Sequence, residues 1–263
     1  MLFRSRRFVW MYSAGSVVLY APIVIWITAS ERPHFGPLQW GVLGATSILH
    51  LAYSLLLQAG YRVSDLSLVY PIARGSGPLL AFVGAAALLG ERVTWLSALG
   101  LVLIVCGILL VAGLAREPRR APRAGILFGL ATGLCISAYT VNDGWAVKAL
   151  GLSPFIVDYA GNALRVVVLT PTALRNRSTL LGEVQTYGGS AVVVSLLGPL
   201  GYILVLYAMR YAPVSHVAPA RELATLIGAY FGSRLLQERG GAGRLVGAGL
   251  IVAGVVSLAF ARS

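Results

Sequence analysis

The chain is built from a succession of apolar runs, each about 20 residues long, separated by breaks of a few polar, Pro or Gly residues. A helix of that length crosses roughly 30 Å of hydrocarbon. No water is available there for backbone N–H and C=O groups, so each run must satisfy its own hydrogen bonds as a helix. Cutting at the breaks predicts helices near residues 8–29, 38–60, 66–89, 93–115, 124–146, 153–174, 188–208, 214–236 and 244–261. Only 11% of the residues are charged, against about 25% in a soluble domain, and no stretch remains for a soluble domain. The expected fold class is an all-α membrane protein with nine transmembrane helices.

The net charge of +12 does not point to nucleic acid, because the basic residues lie in loops between apolar runs rather than on one soluble face. Cys106 and Cys135 both fall inside apolar runs, where a lone thiol acts as a small hydrophobe. The start, MLFRSRRFVW, has the basic residues of a signal peptide but is followed by a long apolar run with no small-residue cleavage site. It reads as a retained helix.

An internal repeat organises the spans. Sliding the chain on itself by 147 residues aligns Ala73, Arg74, Leu89, Glu91 and Arg92 with Ala220, Arg221, Leu236, Glu238 and Arg239. The same shift pairs Gly100, Ile104, Val105 and Gly107 with Gly247, Ile251, Val252 and Gly254. A shift of 149 pairs Tyr53, Leu57 and Ala59 with Tyr202, Leu206 and Ala208. Extended backward, the sixth helix maps onto the first and the fifth maps to positions before Met1. The repeat unit therefore has five helices, the first copy lacking its opening one. An odd number of crossings makes tandem copies point in opposite directions, the inverted-repeat plan of many secondary transporters. The expected domains are a first repeat over 1–115, a basic linker over 116–123 and a second repeat over 124–263.

The stretch YRVSDLSLVYPIARGSGPLL, followed by LLGERVTWLSALGLVLIVCGILL, resembles the EamA domain of the drug/metabolite transporter superfamily, and APVSHVAPARELATLIGAYFGSRLLQERGGAGRLVGAGLIVAGVV resembles a second copy. The resemblance implies a ten-helix bundle of two inverted five-helix repeats, here without the first helix. It also implies an inner-membrane, multi-pass permease that exports small metabolites through a central cavity and needs no cofactor.

Ionisable residues are costly at the bilayer centre and normally face a cavity, a partner or the bundle interior. Six fall more than two residues inside the ends of the predicted spans: Arg74, Asp143, Asp158, Arg165, Arg221 and Glu222. Arg74 and Arg221 are repeat equivalents on helices interrupted by Gly or Pro. They read either as guanidiniums that hold an anionic or zwitterionic solute, or as members of an ion-pair network with Glu222 or Asp143. Tyr70 lies four residues before Arg74; His50 and Tyr53 lie three apart; Tyr139, Asn142 and Asp143 share a helix face. His50, Tyr53, Tyr70, Arg74, Tyr139, Asn142 and Arg221 are therefore candidate substrate-binding residues, and Asp143 and Glu222 candidate coupling residues. Desolvation favours the neutral form of a carboxyl group in an apolar bundle, which suits proton coupling; a structural salt bridge is the competing role. Asp158, Asn162 and Arg165 read as a polar ladder within one helix. No second His or Cys accompanies His50 at ligand spacing, so no metal is expected.

No nucleophile is paired with a base and no Walker, GxSxG or HExxH motif occurs, which argues against an enzyme. The function expected is secondary transport, as an exporter of a small metabolite such as a carboxylate-bearing or amino-acid-like solute. The alternatives are a non-transporting helper subunit and an exporter of cationic drugs that uses a membrane carboxylate. The partners expected are the small solute and the lipid bilayer; self-association as a homodimer stays open.

Two outcomes can be checked directly. The repeat implies an in-frame apolar segment encoded upstream of Met1, about 25–30 codons long by the length of a span; genomic sequence with a nearby stop or only polar codons there removes the expectation. Loops on the N-terminal face carry 13 basic residues and those on the opposite face 5, which puts the N-terminus in the cytoplasm and Ser263 outside it by the positive-inside rule. Relatives by resemblance mostly have a cytoplasmic C-terminus, and the charge count is the stronger argument in short loops. A phosphatase reporter fused after Ser263 should be active and a cytoplasm-dependent fluorescent reporter silent; the reverse pattern overturns the orientation.

Overall fold

The computed structural model describes residues 6–64, 66–111, 123–175, 177–224 and 242–261. Within them the chain forms α1 (Arg6–Glu31), α2 (Pro37–Val63), α3 (Leu66–Leu89), α4 (Trp95–Val111), α5 (Arg123–Lys148), α6 (Pro154–Leu174), α7 (Arg177–Tyr211), α8 (Val214–Ala220) and α9 (Ala242–Phe260). No strand occurs among the described residues. Five of the helices, α1, α2, α3, α5 and α7, are long and apolar enough to cross a membrane. The burial pattern inverts that of a soluble protein: Val18, Trp26, Leu88 and Leu204 are exposed, whereas Ser13, Thr46, Thr140, Asp143 and Glu222 are buried. Apolar side chains facing outward need lipid around them, and polar ones must find partners inside.

Two boundaries depart from the sequence reading. The segment from Arg175 to Thr186, expected as a loop, is helical from Arg177 onward, and α7 runs for 35 residues. At about 1.5 Å per residue it is some 52 Å long, well beyond the hydrocarbon. The polar residues there mark where the helix leaves the hydrocarbon rather than where it stops, because no proline interrupts the backbone between Arg177 and Thr186. Glu183 on this extension accepts from Arg7 of α1 at 3.3 Å. The helix expected over 214–236 begins as the seven-residue α8 and turns at Arg221 and Glu222; 225–236 lies outside the described residues.

The chain forms two compact units, and both mix the repeats. Unit 1 comprises Met1–Gln58 and Asn142–Tyr211; unit 2 comprises Ala59–Val141 and Ala212–Ser263. In unit 1, α1 packs on α6 and α7; in unit 2, α3 packs on α8 and α4 on α9. The pairs α1 with α6, α3 with α8, and α4 with α9 are repeat images of one another, so each of these helices docks on its own copy.

Small residues and hydroxyls make the contacts, as expected where apolar burial alone gives helices no reason to associate. Between α1 and α7, Ser16 donates to the Ser195 carbonyl at 3.0 Å, Ser195 to the Tyr12 carbonyl at 2.8 Å, and Tyr20 to the Leu196 carbonyl at 2.7 Å. In unit 2, Gly129 of α5 receives Ile72 of α3. Between α4 and α9 the backbones touch: a Cβ on Gly107 would lie 2.6 Å from the Gly247 carbonyl oxygen, and one on Gly254 2.5 Å from that of Gly100. Ile104, Ile108, Ile251 and Leu258 fill the seam around them.

A side chain at Gly107 must therefore move a backbone, not a neighbouring rotamer. Gly107→Val should destabilise unit 2 by about 3 kcal/mol, the upper range for overpacking, whereas Gly249→Ala, which meets nothing within 4 Å, should be neutral. Thermal unfolding of the detergent-purified variants separates them, and equal melting temperatures would show that the α4–α9 contact is not tight.

Candidate functional site

Each unit holds one buried cluster of charged and polar side chains. In unit 2 it forms where α3 meets the end of α8. Pro71 and Pro78 interrupt the hydrogen-bond ladder of α3 on either side of Arg74, and Pro219 does the same near the end of α8. The Arg221 N–H bonds to Val217 O and the Glu222 N–H to Pro219 O, both at 3.0 Å. This tightening carries Glu222 toward α3. Its side chain is fully buried, and Oε1 accepts from Nη1 of Arg74 at 3.1 Å while Nε of Arg221 lies 3.8 Å away. One turn before Arg74, the Tyr70 ring lies under its guanidinium at 5.4 Å, a cation–π contact. These three ionisable groups, two guanidiniums and one carboxylate, carry a formal charge of +1.

In unit 1 the cluster is centred on Asp143, near the end of α5. Its Oδ1 accepts from the Thr46 hydroxyl and from Nδ2 of Asn142 at 3.3 Å; its Oδ2 accepts from the Tyr202 hydroxyl at 2.7 Å and faces Nε2 of His50 at 3.0 Å. Asn142 also donates to Thr46 Oγ1 at 2.7 Å and to the Val42 carbonyl at 3.2 Å. A carboxylate has about four lone-pair sites, so Asp143 is saturated. A solute ammonium could reach it only by displacing one of these groups. The Tyr202 ring packs edge-on against His50, centroids 5.3 Å apart.

The α6 ladder lies beside this cluster. Asn162 donates to Asp158 Oδ2 at 2.9 Å, and Arg165 donates Nε–H to the Gly161 carbonyl at 3.3 Å. The absence of a side chain at Gly161 brings His50 close: a Cβ there would lie 3.5 Å from the His50 Cβ and 3.7 Å from Nη2 of Arg165. Asp158 is within electrostatic reach of Arg165, His50 and Asp143. Asp143, Asp158 and Arg165 together carry a formal charge of −1, and the His50 imidazole faces Asp143.

The sequence candidates thus separate. Arg74, Arg221, Glu222 and Tyr70 come together in unit 2; His50, Asn142 and Asp143 come together in unit 1. Tyr53 is half-buried one turn along α2 from His50, and Tyr139 is buried one turn before Asp143 on α5. Thr46 and Tyr202 were not singled out, although both left a trace: Thr46 lies four residues before His50, and Tyr202 is the repeat image of Tyr53. Among the described residues no three His, Cys, Asp or Glu side chains converge as metal ligands.

No curated protein matches the chain. A solved structure titled "Crystal structure of protein" superposes with a TM-score of 0.73 at 17% identity, covering 100% of this chain and 90% of that one, a likeness of fold. Residues 6–113 and 123–260 match the EamA-like transporter family. These two stretches take in both buried clusters and nearly all of the described helices, and the chain belongs to the EamA-like transporter family.

Proposed function

We propose that this protein is an inner-membrane secondary transporter that exports a small carboxylate-bearing metabolite, such as an amino-acid-like solute. The observation that carries the substrate class is the convergence of two guanidiniums, Arg74 and Arg221, beside Glu222 in unit 2. Arg74 and Arg221 share Glu222, and a guanidinium does not lose its proton in a protein. Away from water, a second anion near them is favoured, and Arg offers a carboxylate two parallel N–H donors. A cationic drug is disfavoured at the same place, because Glu222 already has two cationic neighbours.

Coupling belongs to the unit 1 cluster in this reading. Glu222 is the weaker of the two candidates, since a proton on it would remove the charge that Arg74 and Arg221 both face. Asp143 and His50 form a pair whose surroundings reach neutrality with one added proton, and Tyr202, Thr46 and Asn142 can retain their hydrogen bonds to Asp143 in either state. The family membership supports transport over a helper role.

The test is reconstitution into liposomes loaded with radiolabelled amino acids and dicarboxylates, with tetraphenylphosphonium as the cationic control. Arg74→Ala and Arg221→Ala should each cut carboxylate flux at least about tenfold while leaving insertion intact, the loss of one charged hydrogen bond of about 1.5–3 kcal/mol. Asp143→Asn should keep solute exchange and lose accumulation driven by a proton gradient. Asp158→Asn should lower thermal stability more than turnover. Wild-type flux in both arginine variants, or export of tetraphenylphosphonium alone, removes the proposal.

A further inference from the structure

Glu91 lies outside both clusters, in the short connection between α3 and α4. Gly90, at φ +68°, takes the left-handed conformation that ends α3 and costs a side-chain-bearing residue more than glycine. The turn directs Glu91 to the start of α8. Oε1 accepts the Val214 N–H at 2.7 Å and Oε2 the Ser215 N–H at 2.8 Å.

A helix start leaves four N–H groups without intrahelical partners. Here they are all accounted for. Pro213, at the first of these positions, has no N–H, that of His216 bonds to the Pro213 carbonyl at 3.0 Å, and those of Val214 and Ser215 bond to Glu91. Pro213 stands at the N-cap and supplies no side-chain hydrogen bond. The local sequence therefore leaves two donors open, and a carboxylate from 123 residues earlier closes them.

The position matters because α8 is only seven residues long and ends beside Arg221 and Glu222. Within unit 2, α3 holds this short helix at both ends: Arg74 grips Glu222 at one, and Glu91, just past the end of α3, grips Val214 and Ser215 at the other. We propose that Glu91 is a positioning residue that sets the place of α8, and through it the place of Arg221 and Glu222 against Arg74. The consequence for the solute rests on the anion-binding reading above. The placement itself does not.

The test needs no solute. Purified wild type, Glu91→Ala and Glu91→Gln in nanodiscs are compared by amide hydrogen exchange and by phenylglyoxal modification of arginines, read by peptide mass spectrometry. In Glu91→Ala the amides of Val214 and Ser215 should exchange at least about tenfold faster, or about 1.4 kcal/mol. Arg221 should be modified severalfold faster, with exchange in α1 and α4 unchanged. Glu91→Gln, which keeps one acceptor oxygen, should be intermediate, and it decides the matter if the alanine variant misfolds. Unchanged exchange and reactivity overturn the proposal. So does faster exchange throughout the chain in both variants, and so do freed amides with wild-type reactivity at Arg221, which would make Glu91 a cap and nothing more. Because neither readout measures flux, this result stands or falls separately from the transport experiment.

Discussion

Hydrocarbon accepts no hydrogen bonds, so every polar group that enters it must be matched from within the protein. The same demand holds where protein rather than lipid shuts out water, as at the α8 start, where Val214 and Ser215 are buried. A proline-led seven-residue helix exposes donors that water would satisfy at a soluble surface. In this chain they are satisfied by Glu91, held in reach by a glycine turn at the end of another helix. The same demand explains the hydroxyls of α1 and α6. Ser16 and Tyr20 of α1 each donate to a carbonyl of the facing helix, while Thr28 of α1 and Thr170 of α6 fold back onto carbonyls four residues earlier in their own helices.

Close packing follows from the same absence of water. Lipid competes equally for apolar side chains, so helix contacts gain from backbone approach rather than from apolar burial. The glycines at 100, 107, 247 and 254 allow that approach, and their common spacing of seven recurs in both repeats. Each glycine of one copy meets the carbonyl oxygen of a glycine in the other: Gly100 faces Gly254 and Gly107 faces Gly247. An antiparallel pair of repeat images produces this crossed pattern, since the seam must look the same from either helix.

What could be read from the sequence had a one-dimensional signature. Span length, the 147-residue offset and the glycine spacing are periodicities, and they led to the helices, the repeats and the family. Arg74, Arg221 and Glu222 were legible as a group because the offset links the two arginines and Glu222 follows one of them directly. The environment of Asp143 was only half legible. Asn142 is its neighbour, but His50 and Thr46 come from a helix more than 90 residues away, and Tyr202 from another. Nothing in local spacing says that these helices meet. The start of α7 is not legible because its polar residues carry the same signal as a loop. A helix can leave the membrane without ending, and only a backbone break, which Arg177 to Thr186 lacks, would have stopped it.

The two clusters differ in their charged groups. In unit 1, two carboxylates, Asp143 and Asp158, stand with one guanidinium, Arg165, and the His50 imidazole lies 3.0 Å from Asp143. In unit 2, Glu222 faces two guanidiniums, Arg74 and Arg221. Asp143 has its acceptor sites filled by Thr46, Asn142, Tyr202 and His50, so the unit 1 cluster closes on itself. A guanidinium offers up to five N–H donors, more than one carboxylate can accept from two of them. The unit 2 cluster is therefore the one whose donor chemistry suits the anionic solute proposed above.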